Sequence, residues 1–288
     1  MNLSELNRSF TEAFRKISDS PSADAAILIC HSLGITRTQL VLSPNEEIPQ
    51  DKLEELMRIK AARENGEPVA YLTGERGFYE CIFSVSPDTL IPRADTETLV
   101  EEAVADIAET FEDQPEIRIL DLCCGTGCIG ISVAKVLSEA FEKVHLVLSD
   151  VSEKAMAVCR KNAGALIEED NIEVTFNTGN LFEGLDGVFD AVLSNPPYIA
   201  TSVIPTLEKQ VQFEPVLALD GGADGLDFVR KIAASAKAHL VPGGILQMEI
   251  GYDQGKEARD ILRKEGYRKI SVIKDLEDCD RVVKAFLA

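Results

Sequence analysis

The second part of this 288-residue chain alternates between short apolar runs and helical patterns. Runs of this length, rich in Val, Ile, Leu and Phe, are typical of buried strands. Helical segments lie between most of them, so successive strands need crossover connections. The alternation predicts an α/β fold, a doubly wound and mainly parallel sheet of seven strands. The predicted strands are residues 117–122, 144–148, 172–176, 189–193, 244–250, 269–273 and 281–286.

The first part of the chain has a different pattern. Apolar residues recur every three or four positions from Leu3 to Ile17, which predicts an amphipathic helix. Pro21 is well placed to begin a second helix, and a third is expected after Pro49. Short apolar runs follow and predict a hairpin. We therefore predict a helical domain at 1–75, a β-hairpin linker at 76–95 and the sheet domain at 96–288.

The charge balance excludes one class of function. The chain has 49 acidic and 29 basic residues, a net charge of -20. Nonspecific binding to duplex nucleic acid depends on clustered Lys and Arg, so nucleic acid is not expected as a direct substrate. No apolar run is long enough to span a membrane, and the first residues lack a signal-peptide pattern. A cytoplasmic protein is expected.

The seven cysteines raise the question of a metal site. Cys123, Cys124 and Cys128 are close together in sequence. They lack the paired C-x2-C spacing of a zinc site, and the three histidines are scattered along the chain. We expect no metal, and buried thiols in a reducing compartment.

The first strand of the sheet domain runs into a glycine turn at residues 121–127, Asp-Leu-Cys-Cys-Gly-Thr-Gly. Gly125 and Gly127 allow a tight turn into the next helix, where a ligand can approach the backbone closely. With Gly130 they also satisfy the G-x-G-x-x-G pattern of dinucleotide-binding folds. A nicotinamide cofactor is therefore an alternative to be tested against the neighbouring residues.

Two carboxylates argue against that alternative. Asp121 precedes the glycines, where it would repel a pyrophosphate but could hold an ammonium group. Asp150 closes the second strand, a position that suits a carboxylate accepting both ribose hydroxyls. A ligand with an amino-acid part, a ribose and no phosphate fits both, and S-adenosylmethionine is such a ligand. The competing interpretations are a turn or helix N-terminal carboxylate for Asp121 and an Asx turn for Asp150.

The fourth strand is followed by Asn195-Pro196-Pro197-Tyr198. Neither proline can donate to a sheet ladder, and each restricts the residue before it to extended conformations. The Asn195 side chain and the Pro196 carbonyl are then free to accept hydrogen bonds, beside the flat ring of Tyr198. Two acceptors and a ring suit a planar NH2 group.

At these residues the chain resembles the class I S-adenosylmethionine-dependent methyltransferases. More narrowly, it resembles the HemK/PrmC family, which methylates N5 of the glutamine in the Gly-Gly-Gln motif of peptide chain release factors. The resemblance covers nearly the whole chain. Its most specific parts are residues 63–74, residues 90–97, with Ala94 in place of the usual Pro, and residues 214–226.

The resemblance implies a class I methyltransferase sheet, S-adenosylmethionine as methyl donor and S-adenosylhomocysteine as product. Cys123 and Cys124 stand where the family commonly has Gly and Thr, and Leu181 stands where some members have a Trp beside the adenine. Asp121 is added because its carboxylate could hold an ammonium group. The predicted cofactor-binding residues are then Asp121, Cys123, Cys124, Gly125, Thr126, Gly127, Asp150, Leu181 and Asn195. The predicted substrate-binding residues are Asn195, Pro196, Pro197 and Tyr198.

The resemblance also implies a glutamine amide as the planar group. Asn195 Oδ1 and the Pro196 carbonyl would each accept one N–H and orient the nitrogen towards the methyl group. Tyr198 would pack on the amide plane. Asn195, Pro196 and Tyr198 are therefore the predicted catalytic residues, and no side-chain general base is evident.

Three other functions use parts of the same pattern. DNA N6-adenine methyltransferases share the tetrapeptide, but they must flip out a base and hold phosphates, which the acidic balance disfavours. Glutamine methylation of a ribosomal protein would use identical chemistry. A non-enzymatic cofactor-binding module would not need an intact tetrapeptide. We predict glutamine methylation of class 1 release factors, acting in translation termination, with the helical domain recognising the protein substrate or serving as a stabilising cap.

Overall fold

The computed structural model describes residues 1–288 and divides into two compact units. The first unit contains Met1–Glu75 together with Leu207–Phe213, and the second contains Arg76–Thr206 and Glu214–Ala288. The segment Leu207–Phe213 was expected to belong to the sheet domain. Its Lys209 instead donates to the Asn65 side chain, 3.1 Å away, and lies against Gly66.

The first unit is helical. Its core holds buried side chains such as Leu6, Phe10, Leu28 and Leu56. The first two helices begin at Leu3 and Pro21, as the sequence predicted. A short helix that the sequence did not predict begins after Thr36, whose side chain caps it. The helices are α1 Leu3–Phe14, α2 Pro21–Leu33, α3 Arg37–Leu42, α4 Gln50–Glu64 and α5 Val69–Thr73.

A buried ion pair joins two of these helices. Arg63 of α4 is 3% exposed and donates to Asp24 of α2 at 2.9 and 3.0 Å. The same guanidinium also donates to the carbonyls of Ile17 and Glu67. A buried charge is tolerated only when its hydrogen-bonding groups are satisfied, and here four acceptor contacts satisfy one arginine.

The second unit contains the predicted hairpin and the predicted sheet. The hairpin strands are β1 Glu75–Phe78 and β2 Cys81–Ser84. The seven sheet strands are β3 Glu116–Leu122, β4 Lys143–Asp150, β5 Ile172–Thr178, β6 Phe189–Ser194, β7 Leu240–Glu249, β8 Arg268–Lys274 and β9 Asp280–Phe286. The helices around them are α6 Glu97–Thr110, α7 Cys128–Leu137, α8 Glu153–Leu166, α9 Asp227–Ala236 and α10 Gly255–Lys264.

The sheet has the strand order β5-β4-β3-β6-β7-β9-β8. The first five strands in this order are parallel, and β9 runs antiparallel to both of its neighbours. Every residue of β6 is buried, as expected for a central parallel strand that is covered on both faces. The predicted doubly wound, mainly parallel seven-stranded sheet is confirmed.

The strand order reverses between β3 and β6. The chain builds outwards from β3 through β4 to β5, and then continues on the other side of β3 with β6 and β7. In open α/β sheets such a reversal leaves a crevice at the carboxyl ends of the two strands, where ligands bind. The glycine turn follows β3 and the Asn-Pro-Pro-Tyr segment follows β6, so both border this crevice. No helix in either unit is long and apolar enough to cross a bilayer.

Candidate active site

Three parallel strands end at the same level of the sheet. Leu122 of β3 pairs in register with Ser149 of β4 and with Ser194 of β6. The segments that follow these strands therefore meet in one place, and a pocket lies there. Its lining includes Cys123, Cys124, Gly125, Thr126, Asp150, Leu181, Asn195 and Pro197. Of the predicted site residues, Asp121, Gly127, Pro196 and Tyr198 are not part of the lining.

The glycine turn needs glycine at Gly127. This residue has a left-handed φ of 81°, and an added Cβ would lie 2.8 Å from Cys159 Sγ and 3.0 Å from Ile131 Cδ1. Gly125 also has a left-handed φ, of 53°, but its open side has no atom within 4 Å. The turn is thus packed tightly on one side, while the backbone at Gly125 remains open to close approach by a ligand.

Asp121 lies behind this turn. Its side chain is fully buried, and Oδ2 accepts the backbone N–H of Gly130 at 2.8 Å in the first turn of α7. Oδ1 is buried without a hydrogen-bond partner. Burial raises the pKa of Asp121 to about 7. The side chain therefore serves as a helix N-terminal carboxylate, and its predicted contact with a ligand stays a prediction.

Asp150 does face the pocket. Oδ2 accepts the Gly125 N–H and Oδ1 accepts the Ser152 N–H, both at 2.9 Å. Burial raises the pKa of this carboxyl group as well. A carboxylate oxygen has two lone pairs, so each oxygen can accept a further donor from the pocket. The Asx turn and the predicted ligand contact are therefore compatible at this residue.

The backbone of the tetrapeptide is held by the loop that follows it. Ile199 N–H donates to the Leu219 carbonyl at 3.0 Å, and Gly221 N–H donates back to the Ile199 carbonyl at 2.8 Å. The Gln254 side chain donates to the Tyr198 carbonyl at 2.9 Å. A Cβ on Gly221 would lie 2.8 Å from the Pro197 carbonyl oxygen. Close backbone approach thus gives a physical reason for glycine in this loop.

The side chains of the tetrapeptide are held by residues that the sequence analysis missed. Asn195 Nδ2 donates to Thr96 Oγ1 at 3.3 Å, and the Tyr198 hydroxyl donates to Glu249 Oε1 at 3.1 Å. Asn195 Oδ1 and the Pro196 carbonyl have no donor within the chain. The two predicted acceptors are therefore unpaired, and the phenol group of Tyr198 is occupied.

A second missed pair joins two of the three sequence segments that carry the family resemblance, residues 90–97 and 214–226. Glu214 is 4% exposed, forms an ion pair with Arg93 and accepts the Ile91 N–H at 3.0 Å. Arg93 itself lines the pocket. The sequence shows the opposite charges of Arg93 and Glu214 in two motif-like segments. Nothing in it indicates that these two residues, more than a hundred positions apart, form a pair.

Comparison with known proteins identifies the chain's relatives. Two family models match it, the PrmC N-terminal domain over residues 5–74 and the methyltransferase small domain over residues 97–211. The release factor glutamine methyltransferase of Caulobacter vibrioides is 38% identical over 92% of this chain and 89% of that protein. Proteins of the same name from Haemophilus influenzae and Clostridium acetobutylicum are 34% and 37% identical, over 93% and 91% of this chain and 92% and 90% of theirs.

Solved structures of methyltransferases share the fold. The hMettl16 catalytic domain in complex with MAT2A 3′UTR hairpin 6 matches with a TM-score of 0.53 at 13% identity, over 83% of this chain and 82% of that one. The N-terminal domain of human METTL16 in complex with SAH matches with a TM-score of 0.50 at 15% identity, over 84% of each chain. The predicted class I methyltransferase fold is thereby confirmed.

The buried state of Asp121 predicts a pH effect on stability. Because its folded-state pKa lies above the usual value of 3.8, ionisation costs stability as the pH rises from about 4 through about 7. Asp121→Asn keeps an acceptor for the Gly130 N–H and does not titrate. Urea unfolding should show the two proteins nearly equal at about pH 4 and the variant increasingly favoured towards pH 8. A difference that is constant with pH would contradict the assignment.

The loop glycine predicts a packing effect. Gly221→Ala places a methyl group 2.8 Å from backbone atoms of Pro197, Tyr198 and Gly225, so the loop must shift. We expect the free energy of unfolding to fall by roughly 2 kcal/mol and methyl transfer to slow, because the shift reaches the tetrapeptide. Gly164→Ala is the matched control, since it meets no atom within 4 Å on a helix and should be neutral or stabilising. Equal stability of both variants would refute this packing argument.

Proposed function

This chain belongs to the release factor glutamine methyltransferase family, and from that premise we propose that it methylates N5 of a glutamine in the Gly-Gly-Gln motif of peptide chain release factors, using S-adenosylmethionine. The observation that supports this most directly is the pair of unpaired acceptors, Asn195 Oδ1 and the Pro196 carbonyl, at the end of β6. Two free acceptors on adjacent residues match in number the two N–H groups of a primary amide. The chain is thus proposed to act as a protein-(glutamine-N5) methyltransferase.

The pocket residues fit S-adenosylmethionine. The open side of Gly125 allows the backbone to approach the ligand, and the remaining lone pairs of Asp150 suit the two ribose hydroxyls. Leu181 lines the same pocket and would lie beside the adenine. The buried, unpaired Oδ1 of Asp121 lies behind the turn, where it would favour an ammonium group at a distance rather than by contact. When bound, the cofactor supplies a methyl group that its sulfonium has already activated.

The chain's own residues then need only to position the nucleophile. An amide nitrogen is a poor nucleophile because its lone pair is delocalised into the carbonyl group. By accepting both N–H groups, Asn195 and Pro196 would orient that nitrogen and offset the positive charge that develops on it. The Tyr198 ring would pack on the amide plane. Its hydroxyl donates to Glu249 and is therefore not free to act as a base. The proton would leave to water after transfer.

The first unit is proposed to recognise the release factor. On α3 the neighbouring side chains of Val41 and Leu42 are 72% and 75% exposed, an apolar pair on the surface of a strongly acidic protein. Exposed apolar contacts are typical of sites for protein partners. We propose that these residues contact the release factor away from its glutamine. The free state of all seven cysteines is consistent with the cytoplasm as the place of action.

Asn195→Ala tests the proposed mechanism. The change removes one oriented acceptor, so kcat should fall by about 10²-fold or more, while the Kd for S-adenosylmethionine changes by no more than about threefold. The assay follows labelled methyl transfer to a release factor, with its Gln→Ala variant, a ribosomal protein and duplex DNA in parallel. Exposed Asn45→Ala is the control. Turnover near the wild-type rate in Asn195→Ala, or methylation of the Gln→Ala release factor, would refute the proposal.

The double variant Val41→Ser, Leu42→Ser tests recognition by the first unit. We expect the KM for an intact release factor to rise by about tenfold, because two apolar contacts are lost. The rate on a short Gly-Gly-Gln peptide should not change, since the peptide reaches only the pocket. Leu276→Ser, at a fully exposed leucine of the second unit, is the control. An unchanged KM for the release factor would assign the first unit the role of a stabilising cap.

A further inference from the structure

One backbone carbonyl of the glycine turn is held by a side chain from outside the turn. Thr126 stands between Gly125 and Gly127, is 2% exposed and belongs to the pocket lining. No backbone N–H donates to its carbonyl. The donor is the side chain of Asn162, whose Nδ2 lies 2.9 Å from the Thr126 oxygen. The path of the turn therefore depends on a residue 36 positions away.

The Asn162 amide is fixed in one orientation by backbone groups. Asn162 lies in α8 and is 2% exposed. Its Oδ1 accepts the Ser84 N–H at 2.8 Å, and its Nδ2 donates to the Ser84 carbonyl at 3.0 Å as well as to Thr126. A backbone N–H only donates and a carbonyl only accepts. Turning the amide over would therefore lose all three contacts, so its direction is set without ambiguity.

The same side of α8 packs beneath the turn. Met156, Cys159 and Asn162 recur at every third position of this helix. Cys124 Sγ lies 3.7 Å from Met156 Sδ and 3.8 Å from Cys159 Sγ, and a Cβ on Gly127 would lie 2.8 Å from the latter sulfur. These contacts limit how closely the helix and the turn approach, but they have little directional preference. The hydrogen bond from Asn162 adds the direction.

The third partner in this arrangement is the hairpin. Ser84 is the last residue of β2, and no residue of β2 lines the pocket. Both backbone groups of Ser84 nevertheless share one amide with the glycine turn. A change in the order or position of the turn is therefore transmitted to β2 through Asn162.

We propose that Asn162 is a positioning residue that holds the glycine turn in its ligand-binding shape and links it to β2. Asn162 is not part of the pocket lining, so it acts through the Thr126 carbonyl. If S-adenosylmethionine orders the turn, it should also order Ser84, and loss of Asn162 should weaken cofactor binding. The choice of cofactor rests on the function proposed above, whereas the link between the turn and β2 does not.

Asn162→Leu tests the effect on affinity. Leucine has a similar size and branching but neither donates nor accepts, so the Thr126 carbonyl loses its partner. Calorimetry on the full chain should show the Kd for S-adenosylmethionine rising by about tenfold. At saturating cofactor, kcat should stay within about threefold of the wild type, because Asn162 makes no contact with the tetrapeptide. An unchanged Kd would overturn the inference.

Asn171→Leu is the matched control for general loss of stability. Asn171 Nδ2 also donates to two backbone carbonyls, those of Ser138 and Phe141, at 2.8 and 3.0 Å. None of these three residues lines the pocket. Urea unfolding should show both variants less stable than the wild type, while the Kd should rise only in Asn162→Leu. An equal rise in Kd in both variants would show that stability alone is responsible, and the inference would be wrong.

Hydrogen exchange in the wild-type protein tests the link even if Asn162→Leu does not fold. The N–H groups of Ser84 and Tyr79 are both accepted by side-chain oxygens, Asn162 Oδ1 at 2.8 Å and Glu97 Oε1 at 2.9 Å. Saturating S-adenosylhomocysteine should slow exchange of the Ser84 amide by about fivefold or more and leave that of Tyr79 within about twofold. No slowing at Ser84, or equal slowing at both amides, would contradict the proposed link.

The methyl-transfer assay separates this inference from the proposed function. If the wild-type protein methylates no release factor but the Kd and the Ser84 exchange respond as expected, the proposed function fails and the role of Asn162 stands. If release factor is methylated but Asn162→Leu binds the cofactor as tightly as the wild type, the proposed function stands and the role of Asn162 is refuted.

Discussion

The site depends on the fact that β3, β4 and β6 end at the same level of the sheet. Parallel pairing places Leu122 beside Ser149 and Ser194, so three loops distant in sequence begin side by side at the point where the strand order reverses. A slip of one residue in either pairing would turn the side chains of that strand to the opposite face. The glycine turn, the carboxylate of Asp150 and the amide of Asn195 could not then line one pocket.

Carboxylates, three of them buried and that of Asp150 half-buried, do most of the positioning around this pocket. Asp121 holds the first turn of α7, Asp150 holds the glycine turn, Glu214 holds the segment around Ile91, and Glu249 holds Tyr198. An ionised carboxylate accepts several hydrogen bonds and donates none, so it can fix backbone N–H groups and hydroxyls without ambiguity. The desolvation of each carboxylate is the cost of this arrangement, and the raised pKa values of Asp121, Asp150 and Glu249 record it.

Local pattern was enough to predict the sheet and the residues that end its strands. Each strand is an apolar run of its own, and Asp150 and Asn195 follow directly from where two of these runs stop. Contacts between distant segments could not be predicted in this way. Thr96 contacts Asn195 from 99 positions away and Glu249 contacts Tyr198 from 51 positions away. Neither Thr96 nor Glu249 has a local pattern that distinguishes it from a helix start or a strand end. The burial of Asp121 behind the turn, and the membership of Leu207–Phe213 in the first unit, likewise depend on tertiary packing.

The two halves of the site differ in how far they depend on side chains. The shape of the glycine turn is set by its backbone. Cys123 adopts a left-handed φ of 59°, which costs about 1 kcal/mol. Cys124 packs inwards, with its Sγ 3.8 Å from Cys159 Sγ. Cysteine at both positions is thus compatible with this turn. The tetrapeptide presents the side-chain oxygen of Asn195, whose amide is held by a hydrogen bond from Nδ2 to Thr96. Substitution is therefore tolerated where the cofactor is proposed to bind, while the proposed amide chemistry requires Asn195 together with the groups that orient it.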